Sequence, residues 1–122
     1  MVRLCAKIGD KFQVHCWSDE LAEMELLSSF ASKIDFDWKH GTVFQGRISP
    51  EFLSFLCDLP KPQDREIYNK MTPFFTIQFG DTMESSHYGT ELYIMQAPEN
   101  AREDIESILH ELEEDSIVHR DI

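Results

Sequence analysis

The chain has 122 residues, with 11 Lys and Arg against 23 Asp and Glu, giving a formal net charge of −12 and a sequence pI near 4.6. That length holds one domain, residues 1–122, and the 42% of hydrophobic residues supplies a core without metal or disulfide staples. The charge excludes a nucleic-acid binder held by displacing phosphate counterions, and it argues against docking on an anionic membrane.

In chain order, the first seventeen residues read as a hairpin, because Leu4, Ala6 and Ile8, then Phe12, Val14 and Cys16, alternate around Gly9-Asp10-Lys11. In that register Cys5 and Cys16 point to opposite faces, which argues against a disulfide between them. Ser18 then caps a helix of about sixteen residues over 19–34, with Leu21, Met24, Leu27, Phe30, Ala31 and Ile34 at helical spacing and Glu20 and Glu23 outward. The stretch from Asp35 to Gly41 reads as a loop, and Thr42 to Ile48 as a strand in which Gly46 marks a bulge or a close backbone approach. Ser49-Pro50-Glu51 starts a second, short apolar helix with Phe52, Leu53, Phe55 and Leu56, which ends before Pro60. Leu59 to Asp64 is a stiff linker within the domain.

Residues Pro73 to Phe79 and Thr90 to Gln96 are rich in Phe, Ile, Tyr and Thr and read as two strands. A polar loop from Gly80 to Gly89 joins them and carries Asp81, Glu84, His87 and Tyr88. Past Pro98, a helix over 99–114 buries Ala101, Ile105, Ile108, Leu109 and Leu112. Its region from Glu99 to Asp115 holds eight acids against the single base Arg102, a surface that repels itself. Together these elements predict an α+β fold, a mostly antiparallel sheet of about four or five strands packed by two or three helices.

Met1 to Cys5 lacks the apolar stretch of a secretory signal, and no apolar run approaches the roughly twenty residues of a spanning helix, so the expected location is cytoplasmic. Cys5, Cys16 and Cys57 match neither a zinc set nor a disulfide framework and are expected as reduced thiols, with Cys16 and Cys57 as small core hydrophobes.

Charge is unevenly spread: residues 1–17 carry Arg3, Lys7 and Lys11 against Asp10, a net +2, leaving −14 on the rest. A field of that sign steers a basic partner. Asp35-Phe36-Asp37-Trp38 sets two carboxylates beside aromatic rings, the chemistry of an interface that grips Lys or Arg. The partner-binding residues expected on these grounds are Asp35, Asp37, Trp38, Asp81, Glu84 and Tyr88. No metal or other cofactor is expected, since the five histidines fall at no ligand spacing, and Asp35-x-Asp37 alone is a weak metal pair. No nucleophile elbow, phosphate loop or zinc-protease motif is present, which favours binding over catalysis. His119-Arg120-Asp121 spells a kinase tripeptide without the other kinase motifs and reads as chance.

In size, single-domain α+β make-up, reduced cysteines and acidic loops and helices, the chain resembles the immunity proteins that neutralise bacterial toxins, including those of contact-dependent inhibition systems. The resemblance covers the whole chain and rests on no motif. It implies a cognate toxin, most often a nuclease, inhibited in the producing cell's cytoplasm by covering its active site or an adjacent surface. Two alternatives stand beside it: a small enzyme or ligand-binding domain using the 80–89 loop, with His87 or the Glu106 and His110 pair as acid-base groups, and an adaptor or assembly subunit.

Overall fold

The computed structural model describes residues 5–35, 38–59, 72–95, 99–114 and 116–120. One seven-stranded sheet runs through them: β1 (Lys11–Trp17), β2 (Ala31–Ile34), β3 (Gly41–Arg47), β4 (Thr76–Phe79), β5 (Met83–Ser86), β6 (Glu91–Ile94) and β7 (Ile117–Arg120), in spatial order β2-β3-β1-β4-β5-β6-β7. Every pairing is antiparallel except β6 with β7. Among the described residues it is accompanied by the helices α1 (Leu21–Leu27), α2 (Pro50–Asp58) and α3 (Arg102–Leu112), the last preceded by a 3-10 turn over Glu99–Ala101. The α+β class is as the sequence predicts, with more strands than the four or five expected.

Alternation along β1 sets the layers. Phe12, Val14 and Cys16 are buried, and they join Phe44, Ile77, Phe79, Met83, Leu92 and Ile94 from the neighbouring strands in one cluster. Leu27 of α1, Phe52 and Leu53 of α2, and Ile105 and Leu109 of α3 close the same cluster, so all three helices cover one face of the sheet. Phe52 stacks on Phe12 with ring centroids 3.8 Å apart, and Phe30 packs against both Phe52 and Phe55. The parallel β6 and β7 need a crossover, and α3 supplies it while burying its Ile105 and Leu109 stripe.

Five expectations need correction. Residues 5–8 form no strand: Cys5 is helical and buried, Ile8 is 53% exposed, and β1 pairs instead with β3 and β4. Cys5 therefore shares the core with Cys16 rather than pointing away from it, although no disulfide joins them. The long first helix is only α1, because Ser28 ends it and Ala31–Ile34 pairs with β3 as an edge strand. Phe30, Ala31 and Ile34 fit helical and strand spacing alike, and what decides is Gly46 across the ladder, where any Cβ would lie 2.4 Å from the Phe30 carbonyl oxygen. Gly46 is thus a close approach within a regular ladder.

The supposed 80–89 loop contains β5, so β4, β5 and β6 form a meander with two tight turns; its alternate core residues, Met83 and Ser85, are too mixed in polarity to announce a strand. Cys57 is exposed at the end of α2 rather than a core residue. By contrast the α2 start is as read, with Ser49 Oγ accepting the Phe52 N–H at 3.1 Å and Pro50 in the first turn. The linker prediction from Pro60 to Asp64 lies outside the described residues.

Candidate functional site

The other face of the sheet carries no helix among the described residues. On β1 it presents Lys11, Gln13, His15 and Trp17, the set that alternates with the core residues, and across the ladder it continues through Gln45, Gln78, Glu84, Tyr93 and His119. Gln13 donates its amide to Gln45 at 3.2 Å.

At the Trp17 end the face turns aromatic. Trp17 lies 5.0 Å from Trp38 and 4.9 Å from Phe75, ring centroid to centroid, and Trp38 lies 5.7 Å from His15. Phase places Trp17 here, and a missing side chain places Trp38: a Cβ on Gly41 would sit 2.4 Å from the Trp38 ring. Phe75 extends the group edge-on to His87 and Tyr88, at 5.5 and 5.3 Å. None of Trp17, Trp38 and Phe75 belongs to the helix-side core, and each remains partly exposed.

The turn from β5 to β6 holds this end together. His87 and Tyr88 both adopt left-handed backbone, φ 53° and 59°, ahead of Gly89 at 85°. Such conformations cost non-glycine residues about 1–3 kcal/mol each and persist only where surrounding contacts impose them. Here the Tyr88 N–H donates to the Phe75 carbonyl, the Tyr88 carbonyl accepts from the Thr72 N–H, and the buried Tyr88 hydroxyl donates to Glu20 at 3.0 Å. The other oxygen of Glu20 accepts the Trp17 N–H at 2.8 Å. One partly buried carboxylate thereby ties β1, the start of α1 and the β5–β6 turn, where the sequence reading put Glu20 on an outer helix face. A depression of about 510 Å³ opens beside it, lined by Trp17, Ser18, Asp19, Lys39, His40 and Tyr88.

A second cluster lies along β6. Glu91 accepts from the Tyr93 hydroxyl at 2.6 Å and hydrogen-bonds His119 Nε2 at 2.8 Å and His87 Nδ1 at 3.0 Å, while Tyr93 stacks on His119. The Tyr93 hydrogen bond foremost, then those of His119 and His87, hold the Glu91 carboxyl below its ordinary range, and the same carboxylate pushes the Tyr93 hydroxyl up. Between the two clusters, burial pulls the His15 imidazole down, partly opposed by Glu84. Among the described residues no group of three His, Cys, Asp or Glu side chains is placed to hold a metal ion, and no helix is long and apolar enough to cross a membrane.

The residues expected from sequence separate. Trp38 and Glu84 share the helix-free face, and Asp35 is exposed just past β2. Asp81 stands in the β4–β5 turn at the far end of β1, about 20 Å away by strand rise, beside a polar groove of about 390 Å³ that Arg47 and Gln78 also line. Tyr88 is buried and engaged with Glu20, so it supports the site from beneath. Asp37 lies outside the described residues. The Glu106 and His110 pair does not form: Glu106 binds Arg120 at 2.6 Å, and the largely exposed His110 approaches Glu113 at 3.9 Å. Trp17, Phe75, Glu91 and His119 escaped the sequence reading. For Trp17 the signal was present, a large ring out of phase with the core set of its own strand. Glu91 and His119 meet only through the parallel pairing of β7, which no local pattern announces.

No family model, curated protein or solved structure matches the chain.

Proposed function

We propose that this protein is a binding protein of the toxin-immunity kind, which neutralises a basic partner, a nuclease domain foremost, by occupying its cationic surface. The observation that carries this reading is the outer surface of α3. Glu103, Asp104 and Glu111 there, and Glu114 in the turn that follows, are exposed and make no ion pair among the described residues, whereas Glu106 and Glu113 are both taken by Arg120. Glu111 in the last turn and Glu114 just past it stand three residues apart, and both oppose the helix dipole. Glu103 and Asp104 suit the start of the helix, but folding gains nothing from Glu111 and Glu114, whereas a cationic partner does. A nuclease cleft must be positive to hold a polyanion, so a compact acidic domain meets it quickly and competes with its substrate.

The test is charge reversal. The double variant Glu111→Lys, Glu114→Lys, which puts cations at the end of the helix where the dipole favours them, is expected to fold at least as well as the parent and to lose much of its association rate with the basic partner at low salt. Undiminished association would remove α3 from the reading. Paired replacement of Asp35 and Trp38, set against Asp81 and Glu84, then tells which end of the sheet joins the interface, since an interface residue that matters costs about 2 kcal/mol or more on truncation.

A further inference from the structure

The aromatic end of the helix-free face supports a more specific statement, which rests on the reading of a basic partner. Three features meet there. The rings of Trp17, Trp38 and Phe75 form a partly exposed group outside the core, and large exposed aromatic groups of this kind are uncommon on surfaces that meet only water. The adjoining depression of about 510 Å³ has Trp17 and Tyr88 in its wall and the exposed carboxylate of Asp19 on its rim, with no ion pair to Asp19 among the described residues. The walls are also fixed, because Glu20 holds the Trp17 N–H and the Tyr88 hydroxyl, and Ser18 donates through both its N–H and its hydroxyl to the His40 carbonyl at 2.9 and 2.7 Å.

A flat apolar wall with a negative group at its edge selects a flat, weakly hydrated cation. A guanidinium stacks on an aromatic ring while donating along its edge to a carboxylate; an ammonium is compact and strongly hydrated and gains less from the ring. We propose that this depression is a guanidinium site, in which an arginine side chain of the basic partner stacks against Trp17 and pairs with Asp19. Lys39, the one Lys or Arg among the described lining residues, opposes such a guest by like charge. The acidic surface of α3 then speeds the encounter, and this site fixes the docked position.

Trp17 and Trp38 are the only two tryptophans in the chain and both belong to the group, so intrinsic fluorescence reports on this site alone. Titration of the intact protein with N-acetyl-arginine amide at low salt is expected to shift tryptophan emission saturably, with N-acetyl-lysine amide weaker and the neutral N-acetyl-citrulline amide inert. Asp19→Asn, at an exposed position that leaves both reporters in place, is expected to weaken the arginine amide roughly fivefold, the scale of one exposed cation–π or ion-pair contact, and Lys39→Gln to tighten it. No saturable shift with the arginine amide, an equal shift with citrulline, or indifference to both substitutions would overturn the proposal. The broader reading is judged separately by capture: a basic partner held equally by the parent and by Asp19→Asn refutes the guanidinium site and leaves the binding function, whereas absence of any basic partner refutes the function while the amide titration still judges the site.

Discussion

Single side chains behave here as their surroundings dictate. Burial, reinforced by Glu20 and Glu23, pushes the Cys16 thiol up to about 12, and burial likewise raises Cys5, while Cys57 stands exposed. Thiolate is the reactive form, so a thiol reagent should label one cysteine per native chain, Cys57, and all three after denaturation. Mass spectrometry of the labelled peptides checks this, and rapid native labelling of Cys16 would contradict the buried core. Glu91 gives a pH prediction with a definite sign. Its folded pKa lies below the ordinary value of 4.5, so its contribution is fully present above that value and fades as pH falls through the lower, folded value. Thermal melts of the parent and Glu91→Gln should differ at neutral pH and converge in acid. A difference that grows on acidification would refute the assignment.

Whole elements show how far local pattern reaches. The start of α2 is legible because the cap, the first-turn proline and the acid act within four residues; Ser49→Ala should therefore cost about 1 kcal/mol, read from denaturant unfolding. The α3 stripe is legible for the same reason, since Ala101, Ile105 and Leu109 are spaced by one helical turn each. The end of α1 is not, because residues 31–34 are claimed by β3, with Gly46 fifteen residues downstream of its partner Ala31. A Cβ there would meet both the Phe30 carbonyl and the Phe12 ring, so Gly46→Ala should destabilise by about 2 kcal/mol. The edge strands complete the picture. Lys33 puts a charge on β2, and β7 is fastened by Arg120 to Glu106 of α3 and to Glu113 at its C-terminal cap, and by His119 to Glu91. Arg120→Ala should speed amide exchange in β7 while leaving β1 and β3 unchanged, and equal protection in both variants would show that the β6 ladder alone holds the edge.

Over the whole molecule, a sheet covered by helices on one face carries an aromatic group and a depression at one end of the other face, and the acids of α3 give the protein a strongly negative surface. Its acidity was legible in composition, and the site only in fragments: Trp38 by its acidic neighbours, Trp17 by its phase, and the rest through strand pairings that join distant segments. The measurement that tests the central claim most directly is capture of partners from the native host on the immobilised protein, at low and then high salt. The account predicts a basic protein retained in stoichiometric amount at low salt, released by high salt, and toxic when expressed without this chain. Retention of no basic protein at either salt, or of one that binds independently of salt and is harmless alone, would contradict it.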